Sequence, residues 1–82
     1  DEIRCKETAR WGICINAVAP GFIETAMTDA LNDAARDALK KSIPMRRIGS
    51  PEDVAAMVSF LCSGDADYVT GQVFVVDGGM AI

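Results

Sequence analysis

A few short stretches of this 82-residue chain hold the residue types that can do chemistry. The richest is Asn16-Ala17-Val18-Ala19-Pro20-Gly21-Phe22-Ile23-Glu24-Thr25. Pro20 and Gly21 break a β-branched run, so backbone groups just beyond it turn outward, and the Thr25 hydroxyl can bond an amide or a phosphate oxygen. The same residues also suit an ordinary strand-to-loop turn, with Glu24 a single surface carboxylate. Arg46-Arg47 can hold a phosphate, although such a pair is more often a solvated connector. Asp77-Gly78-Gly79 looks like a phosphate loop, but no helix follows it, so it reads as a strand stop with a tight turn.

The absences narrow the chemistry further. The sequence contains no His, which removes His general bases, Ser-His-Asp and Cys-His nucleophiles, and most zinc sites. Cys5, Cys14 and Cys62 are far apart and form no Cys-x-x-Cys. They fit a reducing, cytoplasmic setting. Cys14 and Cys62 read as small buried hydrophobes, and Cys5 as an inert helix residue. Lys and Arg number 8 against 12 Asp and Glu, a net charge of −4 with no charge block. That argues against a nucleic-acid footprint and against a polybasic membrane patch. The longest apolar runs, such as Val73-Phe74-Val75-Val76, fall far short of the roughly 20 residues of a membrane span.

The elements that must position these residues follow from pattern and punctuation. Residues 1–10 read as a helix, or the tail of one, stopped by Gly12. Ile13-Cys14-Ile15-Asn16-Ala17-Val18-Ala19 is apolar without clean alternation, which predicts a strand covered on both faces and ending at Pro20-Gly21. A short helical turn is expected near residues 28–31. A helix over 33–41 follows, capped by Asn32 or Asp33, with Lys40 and Lys41 at its negative end. Ile43-Pro44 breaks it. Ser50-Pro51-Glu52-Asp53 carries a cap, a first-turn proline and an acid three residues after the cap, which opens a helix over 51–62 with Gly64 as its left-handed stop. Its apolar residues go most of the way round, so burial on more than one side is expected. Tyr68-Val69-Thr70-Gly71 reads as a turn, and 72–77 as a second doubly buried strand.

Helix, strand, helices, strand with a long crossover predicts parallel pairing and an α/β fold. Two parallel strands leave open edges and uncovered faces. The chain also does not open on Met. The expectation is a C-terminal part of a larger sheet, or a unit that hides these faces by assembly.

The run Gly12-Ile-x-Ile-Asn16-Ala-Val-Ala-Pro20-Gly21-Phe-Ile-Glu-Thr25-x-Met27-Thr28 resembles the short-chain dehydrogenases/reductases. So do Pro44-x-Arg46-Arg47-Ile48-Gly49-x-Pro51-Glu52-Asp53-Val54-Ala55, Phe60-Leu61, Tyr68-Val69-Thr70-Gly71-Gln72 and Val76-Asp77-Gly78-Gly79-Met80. In order and spacing they are most similar to the 3-oxoacyl-(acyl-carrier-protein) reductase branch, though sugar, steroid and other alcohol dehydrogenases share most of them. The resemblance implies that residues 1–82 are the C-terminal portion of one doubly wound Rossmann-type parallel sheet. It implies a nicotinamide cofactor, NADP(H) or NAD(H), and a small-molecule or acyl-carrier-bound ketone as substrate. Pro20, Gly21 and Ile23 would line the nicotinamide, with the Ile23 backbone on its carboxamide, and Thr25 would bond the carboxamide or pyrophosphate. Residues 26–48 would form a substrate lid. Residues 51–62 and 72–82 would form one interface of a homotetramer.

The resemblance also sets limits. The family's Gly-rich phosphate loop, catalytic Ser and Tyr-x-x-x-Lys pair have no match here: the only Tyr, Tyr68, is followed four residues on by Gln72. No catalytic role therefore falls on these residues. The alternative reading is a non-catalytic assembly module. Branch members often place Arg where this chain has Trp11, which reads instead as a cap over hydrophobic surface.

Overall fold

A computed structural model of the chain describes the backbone of residues 2–81 and the side chains of residues 6–81. The thiol of Cys5 therefore lies outside the described residues. The elements run α1 (Glu2–Ala9), β1 (Ala17–Pro20), α2 (Ala26–Asp29), α3 (Asp33–Ser42), α4 (Pro51–Leu61), a 3-10 turn (Gly64–Ala66) and β2 (Val73–Val76).

The two strands pair in parallel, with Ala17 opposite Val73 and Pro20 opposite Val76. The Ala17 and Gly21 N–H groups donate to Gln72 and Val76, at 2.9 Å each. Odd-numbered residues of β1 thus face β2, and even-numbered ones turn their N–H away. Pro20 occupies an even position, so its missing donor costs the ladder nothing. β1 is shorter than the run that predicts it. Its approach is held by side chains instead: the Asn16 amide donates to the Val69 carbonyl (2.9 Å) and accepts from the Gln72 N–H (3.1 Å), and Thr70 Oγ accepts from the Ile15 N–H (2.9 Å).

The helix caps follow the sequence. Asn32 accepts from the Ala35 N–H at 2.8 Å and starts α3. Ser50 and Asp53 exchange side-chain-to-backbone bonds and start α4. Two helix ends differ from expectation. The short helix begins at Ala26 rather than residue 28, because Thr28 lies inside it and its hydroxyl accepts from the Thr25 N–H (2.8 Å). Gly64 is not a left-handed stop; the left-handed glycines are Gly12, Gly71, Gly78 and Gly79. Instead Ser63 closes α4 by donating its hydroxyl to the Phe60 carbonyl (2.6 Å), and it caps the 3-10 turn by accepting from the Asp65 N–H.

Burial is the larger correction. The expected double cover of both strands is absent among the described residues. Val18 shares a small cavity with Val58, Leu61 and Cys62, so α4 lies over one face of β1. On the opposite side Val73 and Val75 stay exposed. α4 is itself half-covered, with Val58 and Phe60 exposed. Cys14 and Cys62 are exposed, not buried, and Trp11 is exposed rather than capping anything. Among the described residues the buried hydrophobic ones are Ile43, Ile48 and Ala66. Two of these lie in the connector between α3 and α4, where isolated isoleucines among breakers carry no periodic signal.

Candidate functional site

The carboxyl ends of β1 and β2 lie side by side, and close backbone contact brings them there. A Cβ on Gly21 would sit 2.6 Å from the Asp77 Cβ and 3.0 Å from its Cα. Only glycine lets the two strand ends approach this closely. Gly78 has φ +66, and a Cβ there would meet the Ile43 methyl at 2.8 Å. Beyond it the Asp77 carboxylate accepts from the Gly79 and Ala81 N–H groups, at 2.9 Å each, and fixes the turn. The turn holds the connector in its place: the Met45 N–H donates to the Gly78 carbonyl at 3.0 Å.

Past Gly21 the chain makes one more parallel bridge, Ile23 to Gly49. The Gly49 N–H donates to the Phe22 carbonyl (2.9 Å), and the Glu24 N–H donates to the Gly49 carbonyl (2.8 Å). This geometry spends both backbone groups of Gly49 and directs those of Ile23 the other way. Among the described residues, the Ile23 N–H and C=O have no hydrogen-bond partner. A donor and an acceptor therefore stand on one residue at the strand ends.

The loop is braced by charge. Arg36, from α3, forks onto both Glu24 carboxylate oxygens and also donates to the Thr28 carbonyl (2.9 Å). Thr28 Oγ stands 3.0 Å from a Glu24 oxygen. The Arg36 hydrogen bond holds the Glu24 carboxyl below its ordinary range, and Glu24 holds Arg36 above its own. Glu24 is thus not the unpartnered surface carboxylate its sequence context suggests. Arg47 is likewise not a free connector: it donates to Asp53 at 2.8 Å. Arg47 first, then the Ser50 N–H, holds the Asp53 carboxyl far below its usual value.

A groove of about 670 Å³ opens beside this loop. Phe22, Ile23, Met45, Met57 and Val75 supply its apolar wall, and Arg47, Asp53 and Asp77 its polar rim. Of the four site residues read from the sequence, Ile23 lines the groove. Pro20 and Gly21 shape the strand end behind it, and Thr25, extended at φ −140 and ψ 176, precedes α2. Gly49, Arg36 and Asp53 were not read as parts of this site. Each reaches it across the chain, and spacing in the sequence carries no sign of such contacts.

A parallel crossover with a Pro-Gly loop, a helical insertion and a Gly-Gly stop at one end of the sheet is part of a Rossmann-type short-chain dehydrogenase/reductase fold. The chain belongs to that class, in the enoyl-(acyl carrier protein) reductase family, whose sequence profile matches residues 4–81. It is 54% identical over 74 residues to the 3-oxoacyl-(acyl-carrier-protein) reductase FabG of Rickettsia prowazekii (strain Madrid E), which covers 90% of this chain and 31% of that protein. It is 52% identical over 77 residues to the FabG reductase of Thermotoga maritima, covering 94% and 31%. Nodulation protein G of Rhizobium sp. (strain N33) is 51% identical over 77 residues, with the same coverage. The chain thus spans about a third of the length of these relatives. The branch read from the motifs agrees with the names of the two FabG reductases. Among the described residues, no helix is long and apolar enough to cross a membrane.

Proposed function

We infer that these residues form the nicotinamide-side wall and substrate lid of a cytoplasmic reductase that converts 3-oxoacyl-(acyl-carrier-protein) to the 3-hydroxyacyl product. The observation that carries the reading is the free N–H and C=O of Ile23 at the carboxyl ends of parallel strands, where α/β sheets bind ligands. A primary carboxamide offers a carbonyl acceptor and two N–H donors, and Ile23 offers a donor to the first and an acceptor to one of the second. The Ile23 groups are therefore complementary to the carboxamide of a nicotinamide. When bound, that group supplies the hydride that reduces the ketone.

This chain's own residues bind and orient. Gly21 and the Asp77 turn fix the strand end, the Gly49 bridge aims Ile23, and residues 26–48 form the lid above the groove. The proton donor and the phosphate-binding loop belong to the rest of the protein. Whether NADP(H) or NAD(H) serves is decided there too. The exposed faces of α4 and β2, with Val58, Phe60, Val73, Val75 and Met80, are the surface through which a homotetramer would close. The family profile is described for enoyl reduction and the relatives for 3-oxoacyl reduction. The identity to the latter favours the ketone.

The test is spectrophotometric, on the full-length protein that carries this segment. NADPH and NADH oxidation is followed with acetoacetyl and with crotonyl thioesters of acyl carrier protein. Turnover of the acetoacetyl substrate supports the reading. Turnover of the crotonyl substrate alone assigns an enoyl reductase, and inactivity with both overturns the ketone assignment.

A further inference from the structure

We propose that the Glu24–Arg36 pair is a latch that sets the lid relative to Ile23, making both residues positioning residues for the cofactor and ketone. Neither α2 nor α3 has a fully buried residue, and only half-buried Ala35 and Leu39 lend α3 apolar contact, so hydrophobic packing holds this part of the lid weakly. Its far end is anchored by Ile43 and Ile48. Its near end is held by polar contacts that converge on Glu24. The Glu24 side chain takes the Arg36 fork from α3. Its backbone N–H holds the Gly49 carbonyl, where the lid returns. The same Arg36 guanidinium reaches the Thr28 carbonyl in α2. One residue next to Ile23 thus joins the outgoing helices and the returning chain. The fork is planar and two-pronged, so it fixes an angle as well as a distance. Freed, α2 and α3 would swing about the Ile43 anchor while Ile23 kept its bridge to Gly49.

A latch of this kind acts on binding. Loss of lid placement weakens the bound complex, while the chemical step, carried by groups elsewhere, keeps its rate once substrate is seated. The effect on turnover depends on the ketone-reductase reading; the effect on lid opening does not. In the full-length protein, Glu24→Gln and Arg36→Gln are expected to raise the ketone KM about tenfold with kcat nearly unchanged. Arg36→Lys keeps the charge but loses the fork, so it should recover part of that loss. It also remains a usable variant if removing the charge unfolds the protein. The Glu24→Gln/Arg36→Gln double variant should be no worse than either single one. Hydrogen exchange across residues 26–42 should quicken about tenfold in each variant, with the amides of β2 unchanged. Unchanged lid exchange, additive single effects, or a fall in kcat at constant KM would each overturn the latch. If the parent protein reduces no ketone while lid exchange still responds to both variants, the functional reading fails and the latch stands.

Discussion

Gly21 and Gly64 are both glycines next to regular elements, yet the structure gives them opposite weights. At Gly21 the space for a side chain is already filled by Asp77, whose Cβ would lie 2.6 Å from the new one. The obstacle is another strand's backbone and its first side-chain atom, neither of which can swing aside. Gly21→Ala must push the strand ends apart, at a cost of about 1–3 kcal/mol typical of overpacking. It would also move Ile23, two residues on, so the Kd for the nicotinamide cofactor should rise with the fall in Tm. At Gly64 the backbone is not left-handed, and a Cβ would meet only the Asp67 carboxylate at 3.9 Å. Gly64→Ala is expected to change stability by less than about 0.5 kcal/mol. Thermal unfolding of the two variants side by side, in the full-length protein, checks both. Similar losses at both sites would mean that Gly64 is the helix stop its position after α4 suggests.

At the scale of elements, α4 and the α2–α3 segment are both held by carboxylates with lowered pKa. Asp53 is held down by Arg47 and the Ser50 N–H, and Glu24 by Arg36. A carboxylate whose folded pKa is depressed stabilises fully above its unfolded value and loses that contribution as pH falls through the folded one. The ordinary values here are 3.8 for Asp53 and 4.5 for Glu24. Asp53→Asn and Glu24→Gln should therefore be less stable than the parent near neutral pH. The gap should shrink below about pH 4.5 for Glu24, and only at lower pH for Asp53. Urea midpoints of the full-length protein measured from pH 7 to pH 3 test this, and a gap that widens on acidification would sink it. These elements also show what the sequence could reveal. Ser50-Pro51-Glu52-Asp53 is a local device, and its cap formed as read. Asn32, three residues before the amide it accepts from, was equally legible. The strand pairing followed from the length of the crossover. Arg36 and Gly49 were not legible, because each meets its partner across 12 or more residues, and no local pattern marks such a pair. Ile43 and Ile48 were hidden for a different reason: single apolar residues between breakers look like loop.

At the scale of the whole molecule, the apolar surface does not close. The radius of gyration is 15.9 Å, and the molecule measures 51 × 21 × 19 Å. A compact domain of this length would have a radius of about 12 Å. Among the described residues three form the buried apolar core, while Trp11 at 79%, Met27 at 83% and Val73 at 66% exposure face outward. Among the described residues the even-numbered edge of β1 leaves groups at Val18 unpaired, and β2 leaves Val73 and Val75 exposed. Burial this sparse cannot offset the ordering of 82 residues, which costs on the order of 1.5 kcal/mol each. The 82 residues expressed by themselves are therefore expected to unfold without a sigmoidal transition, to bind a hydrophobic dye, and to sediment as a concentration-dependent mixture. Within a full-length reductase of the proposed kind, further strands would pair with β1 and cover the bare face, and the same residues should unfold in one cooperative step. Sedimentation velocity with far-ultraviolet circular dichroism at micromolar concentration decides between these outcomes. A folded monomer with a sharp transition would mean that the lid, the caps and the short sheet suffice, and would favour an autonomous module over one wall of a reductase.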